Sequence, residues 1–531
     1  MGFHCVNCGG SMVFDVSLQK MRCEHCESTM DPQAFDVRER GVAVDPRYTE
    51  MARFTCQNCG AELESTDDSM VGFCPYCGGQ SMVATPGAEC EVERIIPFKV
   101  SKEKCCELYG KYAKGVLYLP KEFRDPSFLQ RFTGIYTPYY EYDAQFEPKA
   151  SVQGEKTVTR TSRYDVINTY AYDVDISGQY RRGAPNDGSR YLDDEISERA
   201  LPFDTSKELP FNAAYLAGFY ADASTTPAEL YYDDAAVQAQ ENMLGAITEE
   251  VVGRDSVSMT GIASISAKVT AHHSVLFPLW FLTWRKDDRV AYAVINGESG
   301  KVVSDLPLDL RFFGVGCVFV SLAIFALLEL LVQPTPLVTS LISLLAAFLM
   351  AHGVRKGAER VYDTQVHTWD KGWNGGEDSG EKRQRKKRVS QHSGKRMKVS
   401  DAISIVFFLG IVCVFFMGFF SSIFSDGGVL DLAKYIVSAV TLCFTVVLLF
   451  RVLFWHRRVK LTHGIIAAVL LLLTVGFNTA IVVISPVNDG WYYLGDAVCI
   501  AGLIAASVSM IHVYNLGTTR PLPKLFDREE V

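Results

Sequence analysis

The sequence predicts a multidomain membrane protein: two N-terminal Cys₄ zinc ribbons, a β-rich α+β cytoplasmic domain, and an all-α transmembrane region of six helices. Three observations carry that prediction. The first is a duplicated set of cysteine pairs near the N-terminus. The second is a middle section whose apolar residues recur with period two. The third is a C-terminal part built from apolar segments close to the ~20 residues a helix needs to cross a bilayer. At 531 residues the chain is too long for one core. Its charge is divided: residues 1–310 hold 30 Lys+Arg and 46 Asp+Glu, net −16, and residues 311–531 hold 22 and 15, net +7, together the −9 of the whole. An acidic N-terminal part argues against nucleic acid as a partner, since that surface must neutralise phosphates. The N-terminus lacks the charged-then-apolar pattern of a signal peptide, and Val6 breaks the myristoylation pattern.

The ribbons come first, at 1–30 and 52–84. Cys5-x-x-Cys8 is followed after fourteen residues by Cys23-x-x-Cys26, and Cys56-x-x-Cys59 after the same fourteen by Cys74-x-x-Cys77. The second set lies 51 residues after the first, knuckle for knuckle. A Cys-x-x-Cys turn sets two thiolates on one side of a tight loop, as two corners of a Zn²⁺ tetrahedron. Gly9, Gly60 and Gly78 follow their knuckles, where glycine turns the chain without strain; Glu27 takes that place in the fourth. Disulfides and a thioredoxin-like redox pair are the competing readings. Two identical four-cysteine spacings in a reducing compartment favour two structural zinc ions. A closed Cys₄ site leaves no coordination position for water, so no zinc catalysis is expected. His4 and His25 read as surface residues.

The β-rich domain is expected over 91–307, after a linker broken by Pro32, Gly41 and Pro46 and a boundary at Pro86-Gly87. Ser101 reads as an N-cap, with Cys105, Leu108, Tyr109 and Tyr112 at helical spacing and Gly115 closing the helix. Cys105 is read as core; Cys90 and Cys106 receive no role. Tyr136, Pro138, Tyr140, Tyr142, Ala144 and Phe146 alternate with polar or smaller neighbours, as do Tyr170, Tyr172, Val174 and Ile176, which predicts half-buried strands. Thr226-Pro227-Ala228-Glu229 reads as a capping box opening a helix to about Val252. A long period-two stretch then runs from Val257 to Ala271. Residues 275–284 are apolar on both faces, so a buried strand is expected. His272-His273 lacks a third ligand nearby. A strand at 289–295 and a turn at Asn296-Gly297 complete the domain.

The membrane part is expected as a helix pair within 312–354, a basic loop at 355–400, four helices within 401–515 and a tail at 516–531. The six spans fall at 312–332, 337–354, 402–424, 432–454, 464–485 and 491–513. Residues 355–398 hold thirteen Lys or Arg, including Lys382, Arg383, Arg385, Lys386, Lys387 and Arg388, and Arg457, Arg458 and Lys460 lie in another loop. The remaining loops hold none. By the positive-inside rule both termini are cytoplasmic in a cell (inner or plasma) membrane, where the cysteines stay reduced. The run at 382–388 is read as a topology determinant facing anionic membrane lipid. Glu329, His352 and Asp496, the candidates for transport, sit near span boundaries where snorkelling is easy.

Ile96-Pro97-Phe98-Lys99, Gly134-Ile135-Tyr136-Thr137-Pro138-Tyr139, Leu276-Phe277-Pro278-Leu279-Trp280 and Asn296-Gly297-Glu298-Ser299-Gly300-Lys301-Val302 follow the knuckles in that order. With them the chain resembles, over about residues 1–355, the bacterial membrane-anchored TFIIB-type double zinc-ribbon family. Some of its members are encoded beside phage-shock-protein-A-like and SPFH proteins in envelope-stress modules. The resemblance implies a non-enzymatic scaffold that holds a cytoplasmic protein partner at the membrane. It does not cover the last four spans or the basic loop. Two alternatives stay open: a transporter or channel regulated by the ribbons, and a nucleic-acid-binding ribbon protein. A helicase is excluded, because Gly110-Lys111, Gly300-Lys301 and Gly394-Lys395 are not followed by Ser or Thr. Membrane lipid, a cytoplasmic protein and a second copy of the chain in a homo-oligomer are the partners this reading admits.

Overall fold

Two long strands, Thr133–Phe146 and Ala267–Lys286, pair antiparallel from Thr133↔Phe281 to Phe146↔Ala267 and form the spine of a 13-stranded sheet. The computed structural model describes residues 3–34, 48–66, 73–80, 82–85, 89–147, 149–160, 165–176, 179–180, 185–255, 258–262, 265–331, 335–366, 370–372, 427–459 and 461–522. On one side of the spine the sheet continues through Tyr220–Asp222 into Glu62–Ser65, Ala52–Cys56 and Met82–Thr85. The second ribbon is therefore continuous with the β-rich domain. On the other side Arg289–Asn296 pairs with Ala267–Lys286, and Val302–Asp305 pairs with Arg289–Asn296.

The half-buried expectation holds over residues 143–146, where Ala144 and Phe146 are buried and Asp143 and Gln145 are not, and is corrected over 136–142. Residues 134–142 are buried on both faces, because the sheet has a core on each side. Tyr136, Leu276, Trp280 and Ile295 belong to one core, with Phe14 and Met21 of the first ribbon and Cys105 and Tyr109 of α1 (Lys102–Gly115). Ile135, Tyr139, Phe277 and Phe281 belong to the other, with the second ribbon's cysteines. The apolar stretch 275–282 is buried, as its two-faced composition predicts. Phe98 stacks on Phe219 at 4.4 Å and meets Tyr136 and Trp280 at 5.0 Å. A side chain at Gly297 would strike Phe98 and Pro278, which explains glycine there. The Ser101 hydroxyl accepts from the Lys104 N–H and caps α1, as expected.

One other local expectation holds in the main and two change. Lys149–Arg160, Asp165–Asp175 and Ser258–Ile262 form a separate three-stranded sheet, in which Tyr172 and Val174 are half-buried between exposed neighbours, as the alternation predicts, while Val166, Ile167 and Tyr170 are exposed. The long stretch 257–271 divides, its first part joining that sheet and its second entering the spine. The capping box does not form. Pro227 stands at the N-cap of a 3₁₀ turn, Ala228–Tyr231, and Tyr140 instead donates to the Thr226 carbonyl. Short helices α2 (Pro126–Leu129) and α3 (Asp194–Ala200) and the long α4 (Tyr232–Asp255) complete the domain.

The C-terminal part contains α5 (Leu310–Leu331), α6 (Pro336–Val366), α7 (Gly427–Val459), α8 (Thr462–Ile484) and α9 (Gly490–Thr518). Four helices, all but α5 of these, contain a segment long and apolar enough to cross a membrane. The expected span 402–424 and the basic residues Lys382, Arg383, Arg385, Lys386, Lys387 and Arg388 lie outside the described residues, as does the side chain of Glu329. Helix α6 runs twelve residues past its expected end at 354, because its last turns lean on the β-rich domain rather than on water. Asp496 is also corrected. It lies in α9 with 5% exposure, inside the bundle, so it does not snorkel.

Candidate metal centres

Each knuckle is built by the same two backbone hydrogen bonds. The N–H of the residue after the second cysteine donates to the carbonyl of the first: Gly9 to Cys5, Gly60 to Cys56 and Gly78 to Cys74, each 2.8 Å, and Glu27 to Cys23, 3.1 Å. The first cysteine's N–H donates to the residue one further on: Gly10, Ser28, Ala61 and Gly79, at 2.7–3.0 Å. This closure needs a left-handed residue after each pair. Gly9, Gly60 and Gly78 have φ of 72°, 77° and 66°, and Glu27 is forced to 59°.

Paired hairpins then bring the knuckles together, as the spacing predicts. In centre 1, Cys5 and Cys26 Sγ atoms lie 3.6 Å apart and Cys8 and Cys23 3.5 Å. In centre 2, Cys56–Cys77 and Cys59–Cys74 are both 3.6 Å apart. Within each centre the four sulfurs lie within 4.8 Å of one another. A tetrahedron with ~2.3 Å metal–sulfur bonds has an edge of ~3.8 Å, so both sets fit a four-sulfur metal ion. None of the thirteen cysteines whose side chains are described is in a disulfide. His4 and His25 are exposed, as expected.

The centres differ in burial. All four sulfur ligands of centre 2 are buried, whereas Cys8 and Cys26 of centre 1 are exposed. Centre 1 compensates with a hydroxyl that the spacing did not single out. Ser28 Oγ lies 3.1 Å from Cys5 Sγ and 3.0 Å from Cys26 Sγ. With the Asn7 N–H, it lowers the Cys5 thiol to about 6, and it lowers Cys26 as well. The Cys5 thiolate, the form a metal takes, is thus favoured near neutral pH, whereas at Cys8 the Gly10 N–H lowers the thiol but the Cys26 and Cys23 thiols together raise it. The signal for Ser28 was available: it occupies the closing position where the other three knuckles carry Gly10, Ala61 and Gly79. In centre 2 the three other thiols, Cys59 foremost, turn toward Cys56 and lower its pKa far below the thiol range.

Elsewhere, His272 Nδ1 pairs with the Tyr232 hydroxyl at 2.9 Å and His273 Nδ1 with Glu93 at 2.9 Å, so the two histidines face different partners. Among the described residues the cysteine sets are the only clusters with metal-ligand geometry.

No family model matches the chain, and no solved structure matches it. It is similar to the uncharacterized protein YdjG of Bacillus subtilis (strain 168), 25% identical over 325 residues that cover 58% of this chain and 91% of that relative.

Proposed function

We propose that the chain is a non-enzymatic, membrane-anchored zinc-ribbon scaffold. Its ribbons and β-rich domain face the cytoplasm of a cell membrane and recruit a protein partner in membrane or envelope stress. The observation that carries the reading is the closure of both centres: four sulfurs converge on each, which leaves a bound Zn²⁺ structural rather than catalytic. The second centre is also woven into the sheet that docks on the membrane helices, which suits a rigid platform. The resemblance points to a phage-shock-protein-A-like or SPFH partner, and the acidic surface argues against nucleic acid. The test uses the full chain in nanodiscs with those two proteins from the same genome. Retention of one of them, lost in Cys56→Ser/Cys59→Ser, is expected. Retention of neither, with solute flux through the reconstituted chain, would overturn the scaffold. Orientation is checked by an impermeant label on intact cells, which is expected to miss an epitope ahead of Gly2.

One observation favours a second reading, transport through the bundle. Asp496 is buried beside a polar relay in which Asn478 Nδ2 donates to Ser343 Oγ at 2.8 Å and Ser343 Oγ lies 3.9 Å from Cys499 Sγ. Intramembrane ionisable groups mark solute paths in many transporters. Flux in liposomes abolished by Asp496→Asn would support it; absent or unaltered flux counts against it.

A further inference from the structure

Where α5, α6 and α9 reach the β-rich domain, they line a half-open cleft of about 430 Å³. Its walls are apolar, with Phe313 of α5, Met350 of α6, and Met510 and Val513 of α9. Space between α6 and α9 comes from Gly353 and Gly357, since side chains there would approach Met510 and Val513. The rim is cationic, formed by Lys356 and Arg360. Arg360 is already engaged, with Glu195 at 3.0 Å and Asp305 at 3.5 Å. Lys356 is exposed and has no ion-pair partner among the described residues.

The level of this rim fits a membrane surface. Tyr514 stands on it, 46% exposed, as tyrosines do in the interfacial belt. Outward from it, Phe312, Val315 and Phe319 of α5 are exposed as a lipid-facing surface would be. From Met350 to Lys356 the helix climbs six residues, ~9 Å at ~1.5 Å per residue, so apolar wall and cation lie at the spacing of an acyl chain and its headgroup.

The geometry points to a binding site for one anionic phospholipid, with its phosphate at Lys356 and an acyl chain between α6 and α9. It rests on α6 and α9 spanning the membrane and not on partner recruitment, so loss of recruitment would leave lipid retention intact. A free anion would not need the apolar walls, and a zwitterionic lipid would not need the unpaired ammonium.

The test is native mass spectrometry of the full chain released from nanodiscs of equimolar phosphatidylglycerol and phosphatidylcholine. The wild type should retain one phosphatidylglycerol per chain in preference to phosphatidylcholine. Lys356→Gln should lower that preference about fivefold, as expected for one cation near an anionic surface. Gly353→Leu, which fills the cleft, should lose retention of both lipids, and Met510→Trp provides the same filling from the opposite wall. Millimolar inorganic phosphate should displace nothing. Equal retention of the two lipids by the wild type, unchanged retention in Lys356→Gln and in both filling variants, or displacement by phosphate alone would each overturn the proposal.

Discussion

Glu27 is the one knuckle-closing residue held left-handed with a side chain, at φ 59°. That conformation costs an L-residue ~1–2 kcal/mol, and replacement by glycine returns ~0.5–1 kcal/mol of unfolded-chain entropy. Glu27→Gly should therefore stabilise centre 1 by ~0.5–1 kcal/mol and tighten its metal about threefold in chelator competition. Glu27→Val should weaken it, since a β-branched residue tolerates φ > 0 worst. Asp222 offers a second test at this scale. Burial pushes its carboxyl up to about 7, although the Ser189 and Tyr76 hydroxyls pull the other way. Because the folded state holds this proton more tightly than the unfolded chain, the group's contribution is present at low pH. It is lost as pH rises from the unfolded value of 3.8 through about 7. Asp222→Asn, which can still accept from Tyr76, should remove that slope. The melting temperature of the variant relative to wild type should rise between about pH 4 and 7 and level off above about 7; a constant difference would contradict the assignment.

The two ribbons share a sequence pattern but differ as elements. The first is a self-contained three-stranded sheet, laid on the β-rich domain through Phe14 against Tyr215 and a Phe14 N–H bond to Ala217. The second pairs Glu62–Ser65 with Tyr220–Asp222 and buries its sulfurs in the domain's own core. A chelator should release metal in two phases, fast from centre 1 with its exposed Cys8 and Cys26, slow from centre 2. After the first phase, proteolysis should remove residues 3–34 and leave the remainder resistant. After the second, or in Cys56→Ser/Cys59→Ser, the ribbon strands should become cleavable while α6–α9 stay inserted, since structural zinc supplies ~10–16 kcal/mol in small domains. Resistance of centre 2 to protease in chelator would contradict this. The knuckles were legible because ligand spacing and closing turn lie within a few residues. Ser101 and the 275–282 strand were legible for the same local reason. The second covered face of residues 134–142 was not, because segments far away in sequence provide it. Thr226 misled because its carbonyl accepts from Tyr140, 86 residues away, at a site where a capping geometry would be needed.

At the scale of the molecule, the question is what fixes the β-rich domain to the helices. The chain answers at its far end. After α9, Arg520–Pro521 adds a strand to Arg289 and Val290, and Leu522 enters the second ribbon's core. Arg520 is 5% exposed and bonds Asp193 Oδ2 at 2.9 Å and Asp305 Oδ2 at 3.4 Å. Asp305 also takes Arg199 at 2.7 Å and Arg360 at 3.5 Å. Burial alone would raise its carboxyl, but Arg520, Arg199 and Arg360 together hold it below the usual range. Three cations and the carboxylates of Asp193, Glu195 and Asp305 thus form one neutral network across the junction. Such a network adds little over an apolar contact, yet removing one member strands buried charge, at a cost of ~3–5 kcal/mol. Arg520→Ala should loosen the junction by about that amount. Hydrogen exchange should quicken in Arg289–Asn296 and in the Arg520–Pro521 strand while α8 is unchanged. Adding Asp193→Ala to Arg520→Ala should recover part of the loss, because the charge left behind is then removed. If exchange in Arg289–Asn296 stayed at the wild-type rate in Arg520→Ala, the Arg520 network would not be what fixes the domain to the helices. The rigid coupling that a membrane-fixed platform requires would then have to be sought in the Leu308–Asn515 contacts.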